Sequence, residues 1–105
     1  MAEWLDLTSA DEVADGEMHP VTVRGLYLGV ARVGEQWFVF DEECTHEQCP
    51  LPDGDLEGTV LTCGCHGSQF DLSTGEVLTG PATEAIETYQ ARVRDGRVQA
   101  LLPDG

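Results

Sequence analysis

Two short stretches, "CTHEQC" at 44–49 and "CGCHGSQF" at 63–70, hold all four cysteines and two of the three histidines of the chain. No other feature constrains the fold as much. As a spacing, it is Cys44-x-His46, sixteen residues, then Cys63-x-x-His66. Each stretch offers one thiolate and one imidazole, so two loops must converge if all four are to serve a single site. The flanking glycines, Gly64 and Gly67, let the backbone bend tightly there.

Around these stretches the sequence reads as short strands. "EWLDL" (3–7) alternates, and "SADEVADG" after it places Ser9 and Glu12 at capping-box spacing, which predicts one helical turn ended by Gly16. "HPVTVRG" (19–25), "LYLGVARV" (26–33), "QWFVF" (36–40), "TVLTC" (59–63) and "SQFDL" (68–72) are β-rich runs separated by glycine turns. "YQARV" (89–93) and "VQALL" (98–102) flank "RDGR", a hairpin signal. The pattern predicts one all-β domain, a sandwich or barrel. Residues 44–58, with Pro50, Pro52, Gly54 and Gly58, lack periodicity and read as a long irregular loop. Such a loop inside a small domain is usually functional.

Charge narrows the partners. Twenty Asp and Glu stand against five Arg and no Lys, a formal net charge of −15. That surface repels phosphate backbones and anionic membranes, so nucleic acid and membrane are poor partners. A basic protein surface is a good one. No apolar run reaches the roughly 18 residues of a membrane span, and the first residues lack a secretory pattern, so a cytoplasmic protein is expected. In that compartment clustered Cys and His point to metal before disulfides.

The donor set Cys44, His46, Cys63 and His66 suits two chemistries. One is tetrahedral Cys₂His₂ zinc. The other is a [2Fe–2S] centre in which two histidines replace two cysteines on one iron. Zinc ribbons normally pair C-x₂-C knuckles, and neither box has that spacing. "CTH" and "CGCHGS" resemble the C-x-H and C-x-x-H boxes of Rieske-type iron–sulfur proteins, and "STGEVLTGPA" (73–82) is similar to the strand, turn and proline loop of that family.

The resemblance implies an antiparallel Rieske-like base over 1–40 and 83–105, with a cluster-binding subdomain inserted at about 41–82. It implies that Cys44 and Cys63 hold the inner iron of one [2Fe–2S] cluster, and His46 and His66 the outer iron. Ser68 matches a position whose hydroxyl donates to a bridging sulfide in higher-potential members, whereas Phe70 stands where those members carry a tyrosine. With one donor kept and one missing, a potential below the respiratory type is expected. Neutral imidazoles raise the potential above that of all-thiolate clusters, and their deprotonation predicts a potential that falls at alkaline pH. Cys49 and Cys65 match the disulfide of respiratory members; such a bridge would contribute roughly 3 kcal/mol on the chain-entropy model. The alternative is two thiols packed as small apolar groups.

The implied function is that of a soluble one-electron carrier, not an enzyme. It resembles the ferredoxin component of a bacterial aromatic-ring-hydroxylating dioxygenase system. Its partners would be a flavin-containing NAD(P)H reductase and a terminal Rieske oxygenase, and a monomer suits such a shuttle. Small subunits of nitrite reductases and soluble relatives of respiratory Rieske proteins are the alternatives. Outside the boxes, His19 reads as a surface residue and Trp4 and Trp37 as packing. The acids from Asp41 to Glu57 read either as a solvated face or as a rim for a basic partner.

Overall fold

A computed structural model describes residues 2–42, 54–64, 67–80 and 84–103. Among the described residues, eleven strands run in chain order: β1 (Ala2–Ser9), β2 (Met18–Val23), β3 (Leu26–Val33), β4 (Gln36–Asp41), β5 (Asp55–Glu57), β6 (Val60–Thr62), β7 (Gln69–Asp71), β8 (Val77–Thr79), β9 (Thr88–Tyr89), β10 (Ala91–Arg94) and β11 (Arg97–Pro103). They form three antiparallel sheets, ordered β1-β11-β10, β2-β3-β4-β9 and β5-β6-β7-β8. The all-β expectation holds, with no α-helix among the described residues.

Most strand limits follow from local chemistry. The run 26–33 is one strand with its predicted ends, because Leu28, Val30 and Ala31 are buried while Gly25 and Gly34 turn the chain at either side. In "RDGR", Asp95 and Gly96 both have positive φ, 54° and 77°, the type I′ geometry that matches strand twist. β10 and β11 then pair from Ala91↔Ala100 to Arg94↔Arg97. Three expectations need correction. The turn after β1 is a 3₁₀ turn over Ala10–Glu12 without a capping box: Ser9 makes no side-chain cap bond, and the Glu12 carboxylate accepts from Thr8 Oγ1 at 3.1 Å instead. The run 89–93 breaks at Gln90, where the chain leaves β4 and joins β11. And the irregular segment contains β5, a strand too short to show alternation; residues 44–53 lie outside the described residues.

Two apolar clusters organise the molecule. In the first, Val13, Leu28, Val30, Val39, Val98, Ala100 and Leu102 fill the space between the two larger sheets. At roughly 25 cal/mol per Å² of apolar surface, each of the valine and leucine side chains stabilises by about 1.5–3 kcal/mol. In the second, Ala31 and Phe40 meet Leu61, Cys63, Phe70, Leu72 and Ile86. β3 and β4 thus serve both clusters, and the small sheet β5-β6-β7-β8 rests on them through Leu61 and Phe70, both fully buried.

Candidate metal centre

Strand alternation delivers the second box. Leu61 points inward, Thr62 outward and Cys63 inward again, at 3% exposure within the apolar cluster. On the return strand Ser68 is buried inward, Gln69 points outward and Phe70 inward. Between them the chain makes a closed tip. Cys63 N–H donates to the Ser68 carbonyl at 2.7 Å, and Gly67 N–H donates to the Cys63 carbonyl at 3.1 Å. Gly67 takes φ 78°, which a side chain at that position would resist.

The far end of the first loop reaches the same place. Asp55 pairs with Thr62, which leaves Gly54 against the chain just before the tip. A Cβ on Gly54 would overlap the Thr62 carbonyl oxygen and lie 3.1 Å from the Gly64 nitrogen. Only glycine permits this contact. Its place in "PDGD" suggested an ordinary loop residue, and nothing local distinguished it from Gly58.

Asp41 and Glu42, which precede that segment in the chain, are held by neighbouring backbone. Asp41 N–H donates to the Glu87 carbonyl and Glu42 N–H to the Tyr27 carbonyl, both at 3.0 Å. Tyr89 Oη donates to Asp41 Oδ1 at 3.0 Å. Partial burial, reinforced by that carboxylate, pushes the Tyr89 hydroxyl up to about 12. At the end of β7 away from Ser68, Asp71 Oδ1 accepts from Ser73 Oγ at 2.6 Å and from its N–H at 2.9 Å, which holds the carboxyl below its ordinary value.

Of the sequence-derived site residues, the structure places Cys63 and Ser68 side by side on the inward face at the root of one tip. Cys44, His46, Cys49, Cys65 and His66 lie outside the described residues. Among the described residues Cys63 is the buried cysteine, and it forms no disulfide there. His19 is remote from the tip, on β2, with Nε2 3.4 Å from Glu17 Oε1. Trp4 and Trp37 are half-buried packing residues, each under a guanidinium: Arg92 at 4.0 Å and Arg32 at 5.4 Å from the ring centres.

The arrangement fits a metal–sulfur centre. Cys63 is presented by a hydrogen-bonded turn rather than a loose loop, its apolar neighbours exclude water and competing ligands, and the small residues Gly64, Gly67 and Ser68 leave room beside it.

A model of the Rieske [2Fe–2S] domain matches residues 3–90, and the chain belongs to that family. The family's [2Fe–2S] cluster is the cofactor its fold accommodates. The chain is 34% identical over 100 residues to the ferredoxin component of a naphthalene 1,2-dioxygenase system from Pseudomonas aeruginosa, covering 95% of this chain and 96% of the relative. Among solved structures, a ferredoxin of Sphingomonas yanoikuyae B1 superposes with a TM-score of 0.90 at 35% identity, over 96% of this chain and all of that one. A ferredoxin chain from the oxygenase–ferredoxin complex of carbazole 1,9a-dioxygenase gives 0.87 at 31% identity, over 93% of this chain and 92% of that one. A nitrite reductase small subunit shares the fold, with a TM-score of 0.81 at 16% identity.

Proposed function

We propose that this protein is the ferredoxin of an aromatic-ring-hydroxylating dioxygenase system, a cytoplasmic one-electron carrier between a flavin-containing NAD(P)H reductase and a terminal Rieske oxygenase. The observation that supports it most is full-length similarity, at one third identity, to ferredoxin components of such systems, on a chain that keeps both Cys/His boxes. The relatives carry out this role without catalysing the ring chemistry, and we assign the same limit here.

In this reading the segment 41–82 is the cluster-binding subdomain, set on a base of 1–40 and 83–105. Cys44 and Cys63 would hold one iron, and His46 and His66 the other. The cluster supplies reversible one-electron storage at a potential raised by its neutral imidazole ligands. The chain's own residues do the rest. Leu61, Phe70 and Phe40 keep water from the Cys63 side, Ser68 lines the same face, and Cys49 and Cys65 would tie the two loops together by a disulfide. Acids from Asp41 to Glu57 would steer a basic partner to this end.

The test is spectroscopic and kinetic. The purified protein should be brown and, reduced with dithionite, give a rhombic EPR signal with an average g below the free-electron value. Its reduction by NADH through the flavin reductase of a naphthalene-type system should slow as salt rises, because exposed charges are screened. A colourless protein holding stoichiometric zinc would overturn the reading.

A further inference from the structure

The segments that carry the proposed ligands, 43–53 and 63–68, and the segment that follows β8 are all joined in the chain to the small sheet. All three depart from one tier of the small sheet. Asp55 pairs with Thr62, Thr62 with Gln69, and Gln69 with Thr79. One residue further along each strand stand Gly54, Cys63, Ser68 and Gly80. The backbone alone holds this tier weakly, because each strand has three residues. Between Gln69 and Phe70 the register with β8 also shifts, so the ladder does not by itself fix how β8 sits.

On the outward face the side chains supply what the backbone lacks. Thr79 Oγ1 donates to Gln69 Oε1 at 3.0 Å, and Gln69 Nε2 donates to Thr62 Oγ1 at 3.2 Å. The glutamine amide therefore uses both of its ends, one on each neighbouring strand. Thr62 is also the residue whose carbonyl Gly54 packs against. A displacement of Thr62 would move Cys63 directly, and Gly54 with it.

We propose that Thr62, Gln69 and Thr79 form a positioning ladder that sets the three loops relative to one another, and through them the ligand geometry of the centre. None of the three is among the proposed ligands; they would act through the backbone of their own strands. The inference rests on the [2Fe–2S] reading above.

The experiment compares the parent holoprotein with Gln69→Leu, Thr62→Val and Thr62→Ser. Four properties are measured: EPR line shape, midpoint potential, rate of iron release to excess chelator, and melting by far-ultraviolet circular dichroism. The leucine and valine variants keep shape and remove the hydrogen bonds. Each should release iron about five-fold faster, the effect of about 1 kcal/mol, with a shifted or broadened EPR signal and a circular-dichroism melt close to that of the parent. Thr62→Ser, which retains the hydroxyl, should behave as the parent. Parental EPR line shape and iron release within about two-fold in both Gln69→Leu and Thr62→Val would overturn the ladder, as would a serine variant as impaired as the valine one. If the leucine and valine variants do not assemble a centre, the exposed end is read instead through Thr79→Ala. A smaller acceleration with a shifted signal supports the ladder, and no change overturns it. A parent protein without the rhombic signal sinks the [2Fe–2S] reading and the ladder with it. A parent that shows the signal beside unchanged variants sinks only the ladder.

Discussion

The two larger sheets and the small β5–β8 sheet solve the same problem by different means. In the larger sheets strands run to eight residues, β3 is buried on both faces at its middle, and a cluster of seven buried aliphatic residues closes between the sheets. In the small sheet every strand has three residues, and its inward face offers Leu61, Phe70 and Cys63 to a cluster completed by Phe40 and Ala31 of the base. The first region closes a buried core of its own. The second borrows its core, and its remaining stability falls to turns, to the close approach at Gly54 and to the bound cluster. Charge sharpens the contrast: eleven of the twenty acids and none of the five arginines lie within 41–87. Self-repulsion therefore works against the region with the shortest strands.

The strongest way to break this contrast is to remove the iron. Binding free energy at a site assembled only in the folded chain is folding free energy. Amide exchange in β6 and β7 should then accelerate at least about a hundred-fold in the apoprotein, while β3 and β11 keep their protection. Uniform acceleration across all three sheets would show that the regions are one cooperative unit.

Core truncations come next, and they should separate the regions. Phe70→Ala removes a fully buried ring and is expected to cost about 3–5 kcal/mol, read by denaturant unfolding. Its effect should concentrate on iron retention. Leu28→Ala, at about 2–5 kcal/mol, should lower the melting of the whole protein. Phe40→Ala belongs to the same class and should do both, because Phe40 packs beneath the small sheet from a base strand.

Gly54→Ala tests the close approach between the loops. The new methyl meets backbone, which cannot swing aside, so a loss of about 1–3 kcal/mol is expected in the small sheet. A melting curve and iron content equal to those of the parent would mean that the two loops part freely. At the other end of the molecule Gly96→Ala strains the type I′ turn by about 1 kcal/mol, with no change in the EPR spectrum.

The smallest effect is a pH dependence at Tyr89. Its folded value, about 12, stands above the ordinary 10, so its contribution is complete below pH 10 and disappears as pH rises toward 12. Solvent screening of the half-exposed hydroxyl reduces the expected slope to a total of about 1 kcal/mol. Tyr89→Phe should flatten thermal stability across that window. An unchanged slope would place the alkaline transition on other groups.

Much of the two larger sheets was legible in the sequence. The β-rich run 26–33 between its glycines, the Asp95–Gly96 turn and the alternating strand 98–102 are local signals, and each is where the residues put it. Ser9 and Glu12 misled, because Thr8 competes for the same carboxylate across one turn. β5 was hidden, because three residues carry no period and its partner strand, not its composition, makes it a strand. Of the site, Cys63 and Ser68 were legible as parts of a ligand box, whereas Gly54 and the Thr62–Gln69–Thr79 bonds depend on strands that meet only in space.

The sequence by itself determined which residue types could bind metal, at what spacing, and that β-strands would carry them, since ligand chemistry and side-chain alternation are properties of the chain. Only the tertiary structure decided that β1 pairs with β11, that Phe40 of β4 shares a buried cluster with Phe70, and that Gly54 touches Thr62. The first two join residues far apart in the chain, and the third joins residues at the ends of two different strands. Their free energy depends on shape and on the closing of loops, and neither is written in any local window of residues.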